Sequence, residues 1–166
     1  MRRGGRPQQH PHPQKVNAMD KQLTQADLGL KTDFPSSIPL PDDDTAPFWE
    51  GCKRHEFLIQ QCGKCHVFRY PVRPMCPDCG SGEFTWVKSK GTGKIYSYAI
   101  PNHPSGNKAL QTLVPYNFVL VEMSEGVRVV SNLLDVPTKE IKIGMPVHVV
   151  FTEVKPGVVL PHFRRA

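Results

Sequence analysis

Two cysteine pairs, Cys62-Gly-Lys-Cys65 and Cys76-Pro-Asp-Cys79, stand ten residues apart and limit what this chain can fold into. A Cys-x-x-Cys pair places two thiolates on one side of a tight turn, and two such pairs at this separation signal a four-ligand metal site. Gly63, Pro77 and Gly80 suit the strained turns that carry such pairs. Four sulfurs in a tetrahedron suit zinc, at about 2.3 Å each. The intervening residues, His66 to Met75, are enough for a short hairpin and too few for a second core. Residues 57–83 are therefore expected to form a zinc ribbon around one structural Zn2+. Iron is the chief rival, because four thiolates also hold iron in rubredoxin-like sites and spacing does not separate the two. Two disulfides would need an oxidising compartment. The first thirty residues lack the apolar stretch of a secretory signal, so a cytoplasmic location is expected.

The net charge of +6 suggests nucleic acid at first sight. Its distribution weakens that reading. Residues 1–18 carry Arg2, Arg3, Arg6 and Lys15 with no acid, whereas residues 19–51 carry seven acids against two lysines. Residues 84–166 are mildly basic, with ten basic and five acidic side chains. Strong nucleic-acid binders show denser basic clusters. A modestly basic surface could equally meet the phosphates of a nucleotide-like ligand. No run approaches the roughly 20 apolar residues of a membrane span.

Residues 1–18, rich in Arg, Gly, Pro, Gln and His, are expected to be a disordered tail. Residues 19–56 read as a helical and extended lead-in. A weak helix is expected over Asp20–Leu30. Thr45 then takes the N-cap position of a short helix, with Pro47 in its first turn. Phe48 and Trp49 project about 100° apart on that helix. With Cys52 they span more apolar width than a short helix in a chain of this size requires, and large aromatics are common interface anchors. Phe48 and Trp49 are therefore the candidate partner contacts. Cys52 and His55 share a helix face, but no catalytic motif surrounds them, and no catalytic residue is assigned.

Phe57–Gln61 reads as a strand entering the first cysteine pair. From Phe84 onward the pattern alternates as β-structure. Phe84–Val87 and Lys94–Ile100, flanking Gly91-Thr-Gly93, read as one long first strand with a bulge or bend at the glycines. Tyr116–Glu122, Val127–Leu133, Val147–Val154 and Val158–Pro161 complete five strands. The long connection 101–114 is a candidate binding loop. The fold class expected is mainly β with short N-terminal helices, a rubredoxin-like zinc ribbon followed by a five-stranded OB-fold barrel over residues 84–166.

The order of Pro47-Phe-Trp-Glu-Gly51, Ile59-Gln-Gln-Cys62, Cys76-Pro-Asp-Cys-Gly80, Gly91-Thr-Gly-Lys-Ile-Tyr96, Ile143-Gly-Met145 and Leu160-Pro-His-Phe163 resembles the zinc-ribbon/OB-fold family known as domain of unknown function thirty-five. One departure is His66, where a turn former such as glycine is expected after Cys65. The resemblance implies an accessory subunit of a thiolase-superfamily enzyme, an acyl-CoA thiolase or an aldol-type carbon–carbon lyase such as those of aromatic-compound or steroid side-chain breakdown. It implies a thiolase-like catalytic partner, two copies of each chain, and a coenzyme A thioester as ligand of the complex. Lys108, Arg128 and Arg164 are the candidates to meet the coenzyme's phosphates. The rival readings are a single-stranded nucleic-acid module using Tyr96, Tyr98 and Lys94, and an iron electron-transfer protein.

Overall fold

The structure, a computed structural model, describes residues 41–103 and 114–166. The expected tail, the helix over Asp20–Leu30, and residues 104–113 with Lys108 lie outside the described residues. A helix α1 (Ala46–Lys53) leads into a three-stranded antiparallel sheet in the order β2-β1-β3, made of β1 (Leu58–Cys62), β2 (Phe68–Arg69) and β3 (Phe84–Lys88). A second sheet has the order β6-β5-β4-β7-β8, from β4 (Thr92–Ala99), β5 (Phe118–Met123), β6 (Arg128–Ser131), β7 (Pro146–Lys155) and β8 (Val158–Arg165). Its two ends meet. Leu133 bridges Phe163 in parallel, the Phe163 N–H donates to Asn132 O (3.0 Å), and the Leu134 N–H donates to Phe163 O (2.8 Å). The sheet thereby closes into the small barrel expected of an OB fold, which removes free edges.

The barrel interior follows the alternation of its strands. Val119, Val121 and Met123 of β5, Val129 of β6, Ile95 of β4, Val147 of β7 and Phe163 of β8 are buried. Their neighbours Leu120, Glu122, Arg128 and Val130 therefore project outward. Asn117, itself buried, helps to close the barrel from the side. Its Oδ1 accepts the Leu133 N–H (2.8 Å), its Nδ2 donates to Leu133 O (3.0 Å), and Asn132 Nδ2 donates to the Asn117 carbonyl.

Two expectations are corrected. Phe84–Lys88 is not the first half of a barrel strand. It pairs with β1 along its whole length, from Leu58 opposite Lys88 to Cys62 opposite Phe84. The chain leaving the second cysteine turn is held beside the first, with the Gly63 N–H on Glu83 O (2.9 Å), so it runs back along β1. The Ser89 N–H on Phe57 O closes that sheet, and Gly91 (φ 71°) turns the chain into the barrel. A Cβ at Gly93 would lie 2.6 Å from Glu122 O, so glycine there permits the close approach of β4 to β5. The β-bulge lies further on, between Ile95 and Ser97. The second correction concerns the start of α1. Thr45 occupies the N-cap position without capping. Its hydroxyl instead donates to Asp42 Oδ1 (2.6 Å) and the Thr45 N–H donates to the same oxygen (2.8 Å).

His162 of β8 is 3% exposed, with Nδ1 3.1 Å from Thr152 Oγ1. Burial holds its pKa down to about 4 from 6.5. As pH falls below about 6.5 the unfolded chain takes a proton that the native chain refuses, so stability is present above that pH and lost progressively down to about 4. The shift corresponds to roughly 3 kcal/mol across this window. His162→Asn is expected to flatten the dependence of unfolding free energy on pH between these limits. Equal slopes for the two proteins in urea titrations at several pH values would refute this.

Candidate metal centre

The four cysteines converge as their spacing requires. All four Sγ atoms lie within 4.8 Å of one another, with Cys62 to Cys79 at 3.6 Å and Cys65 to Cys76 at 3.5 Å. Tetrahedral ligands with bonds of about 2.3 Å sit about 3.8 Å apart, so the donor set fits a single metal ion. The distances are far longer than the ~2.05 Å of a disulfide. Cys62 and Cys76 are buried and Cys65 and Cys79 are partly exposed.

The backbone of each turn prepares one thiolate. The N–H groups of Cys65 and Lys64 hold the Cys62 thiol down to about 6. The N–H groups of Cys79 and Asp78 likewise lower Cys76. Cys65 is pushed up to about 12: the Val67 N–H favours its thiolate, but burial and the sulfurs of Cys79, Cys62 and Cys76 outweigh that contact. A metal bound by these four sulfurs would supply the missing positive charge and hold the two turns together. His66 adopts φ 61° and Gly80 φ 72°, so the residue after each pair is left-handed. His66 accepts a conformation that glycine adopts freely, at a cost of roughly 1 kcal/mol.

The other candidate residues are dispersed. Phe48, expected at a partner interface, is instead 3% exposed and core, with ring contacts to Trp49 (4.9 Å), Phe57 (5.5 Å) and Tyr70 (5.7 Å). Trp49 is half-buried and packs between this core and the pair Val154 and Leu160 of the barrel. Cys52 is fully buried, and burial pushes its thiol up to about 12, while the His55 ring lies flat on Phe151 at 5.4 Å. A nucleophilic Cys52 would need the opposite shift. Arg164 pairs with Asp135 (2.7 Å), and Arg128 reaches Glu122 (3.7 Å) and stacks on the Tyr96 ring at 3.6 Å. Lys94 is also held by Glu122, at 3.1 Å.

Sequence reading missed two features. One is an outer face of the barrel where Tyr96, Phe118 and Val130 are exposed, Val130 by 66%. Cross-strand register joins Leu120 to Val130 and Ser97, so these side chains form one surface across β4, β5 and β6. The other is Arg69 with Gln60, both buried in the ribbon sheet. Outward alternation could have located the first, and nothing local marks the second.

A metal-binding ribbon joined to a closed five-stranded barrel defines a zinc-ribbon/OB-fold protein. Residues 49–85 match the family described as the rubredoxin-like zinc ribbon domain of ChsH2, and residues 86–152 match the C-terminal OB-fold domain of ChsH2. A DUF35 domain-containing scaffold protein of Methanocaldococcus jannaschii is 31% identical over 118 residues, 70% of this chain and 82% of that protein. The chain belongs to the DUF35 family. It is 40% identical over 128 residues, 77% of its length, to a probable enoyl-CoA hydratase alpha subunit of Thermomonospora curvata. That match spans only 39% of the relative's length. A solved structure described as an Ltp2-ChsH2(DUF35) aldolase superposes with a TM-score of 0.68 at 39% identity, covering 76% of this chain and 98% of that one.

Proposed function

We propose that this chain is a non-catalytic subunit of a heteromeric thiolase-superfamily enzyme, an acyl-CoA thiolase or an aldol-type carbon–carbon lyase. The observation that carries this reading is the likeness, at 39% identity over 98% of the matched chain, to the DUF35 component of an aldolase that also contains Ltp2. The buried, raised thiol of Cys52 agrees, because it leaves the obvious nucleophile of this chain inert. The centre at Cys62, Cys65, Cys76 and Cys79 holds one structural zinc, and catalytic residues belong to the partner. No helix among the described residues is long and apolar enough to cross a membrane. A cytoplasmic complex with two copies of each chain fits this role, because thiolase-type enzymes resemble symmetric dimers.

The partner is assigned to the outer face of β4, β5 and β6. Tyr96, Phe118, Leu120 and Val130 supply apolar contact there, and Arg128 stacked on Tyr96 supplies an anchor type enriched at interfaces. Of the three cations first considered for the phosphates of acyl-CoA, Lys108 and Arg164 are kept, and Arg128, stacked on Tyr96, is assigned to the partner face instead. The Arg164–Asp135 pair is exposed on both sides, so a phosphate could displace the carboxylate at little cost. The same ion-pairing counts against the single-strand reading, since Lys94 and Arg128 are already engaged by Glu122.

The test uses purified thiolase-like proteins from the same source, mixed one at a time with this chain. One of them is expected to form a complex of two copies of each chain by light scattering. Val130→Asp is expected to weaken it at least tenfold, since burying an unpaired carboxylate costs more than the about 1.4 kcal/mol that tenfold represents. Arg164→Ala should leave assembly intact and raise KM for the CoA substrate. An unchanged affinity for Val130→Asp would remove the assigned face. No complex with any thiolase-like protein would sink the subunit reading.

A further inference from the structure

We infer that Arg69 is the buried counter-charge of the metal centre. Arg69 is 3% exposed, and its Nε, Nη1 and Nη2 are all buried without a hydrogen-bond partner. Its neighbour across the β1–β2 pair, Gln60, is equally buried. The Gln60 Oε1 accepts the Arg73 N–H (3.1 Å), while its Nε2 donors are also unmatched. A guanidinium stays charged at any working pH and offers five N–H donors. Enclosing one without a counter-charge is among the costlier things a fold can do.

Register shows which way that charge is directed. Gln60 lies between Arg69 on β2 and Trp86 on β3, and Cys62 lies opposite Phe84. Residues two apart on a strand share a face, and directly opposed residues share a face. Arg69, Gln60, Cys62 and Phe84 are therefore on one side of the sheet. The Arg69 Cζ lies 5.0 Å from the centre of the Phe84 ring. Since β1 separates β2 from β3, the Arg69 side chain crosses β1 on the face from which Cys62 projects. Phe84 offers the guanidinium a cation–π contact, which attracts the charge but satisfies none of its in-plane donors.

Four thiolates around one divalent ion leave an excess of two negative charges. A positive group inside the protein offsets that excess beyond what the turn N–H groups supply, and Arg69 is the buried cation among the described residues. Lys64, one residue before Cys65, is exposed and so contributes a solvent-screened charge. Arg69 thus acts through the ligand set without being a ligand.

The experiment measures zinc affinity of the full chain by competition with a chromophoric chelator. Arg69→Met, which keeps bulk and loses charge, is expected to weaken zinc 10- to 100-fold, the usual range for groups that support metal ligands. Arg69→Lys, which keeps the charge and loses the planar fork, should recover most of that loss. Should the methionine variant fail to fold, Arg69→Gln asks the same question with hydrogen-bond donors retained. The gap between wild type and the neutral variant should persist in high salt, because buried charges are little screened. Zinc binding as tight in the neutral variant as in wild type overturns the inference. So does equal weakening by methionine and lysine, which would make shape rather than charge responsible. A wild-type chain that binds no zinc would instead refute the metal assignment itself.

Discussion

Replacing Cys62 or Cys76 with serine is expected to abolish stoichiometric zinc binding and unfold the ribbon while the barrel strands persist. The three-stranded sheet has a two-residue member in β2, and its strands alone bury too little to hold two cysteine turns together. Structural zinc in small modules contributes roughly 10–16 kcal/mol of apparent binding free energy at neutral pH, which is folding free energy. No other single feature here approaches that size. The effect should also reach the barrel, because Phe57 and Ile59 of the ribbon share one continuous core with Val119, Val121, Val147 and Phe163. We expect far-UV signal from the barrel to survive with a lowered urea midpoint, and fluorescence to shift red as Trp86 becomes exposed. Chelation of the wild-type chain should reproduce this. Acid should do so too, because protons compete with the metal for all four thiolates and binding is therefore lost as pH falls. A Cys62→Ser chain with one zinc and an unchanged midpoint would end the structural-metal assignment, and a visible absorption spectrum from native protein would replace zinc with iron.

What could be read from sequence was what local chemistry decides. The Cys-x-x-Cys spacing located the centre because a turn of four residues sets where two sulfurs point. Strand alternation located β4 to β8 because burial of Val119, Val121 and Met123 repeats every second residue. Gly80 was legible as a turn residue and proves left-handed, while His66 stood out only against the family pattern. Non-local pairing was not legible. Phe84–Lys88 alternates as well for a barrel strand as for a ribbon strand, and what selects β1 is the cysteine cluster that sets Glu83 beside Gly63. Nothing local in the sequence marks Arg69, which lies in the short stretch between the two cysteine pairs. Its burial follows from its two-residue strand pairing with Gln60, which sequence does not display. Arg128 and Arg164 were readable as exposed cations, but their partners Glu122 and Asp135 come from register and barrel closure.

The helix showed how composition can suggest a surface where the fold builds a core. Phe48 and Trp49 offer apolar width that sequence alone would send toward another chain. Both directions are already occupied, since Phe48 faces Phe57 and Tyr70 while Trp49 meets Val154 and Leu160. The two explanations predict different losses. Phe48→Ala is expected to cost about 3–5 kcal/mol of folding free energy, the range for emptying a buried aromatic site whose neighbours cannot collapse inward. Three aromatic neighbours fix the shape of that site, which favours the upper half of the range. The denaturant slope should stay the same while the midpoint falls. Val130→Ser, on the exposed outer face, should leave stability within about 0.5 kcal/mol and weaken the partner instead. Folded Phe48→Ala, measured well below its midpoint, should bind that partner normally. If Phe48→Ala keeps full stability and loses the partner, the ring belongs to the interface after all and the outer face of β4, β5 and β6 is the wrong surface.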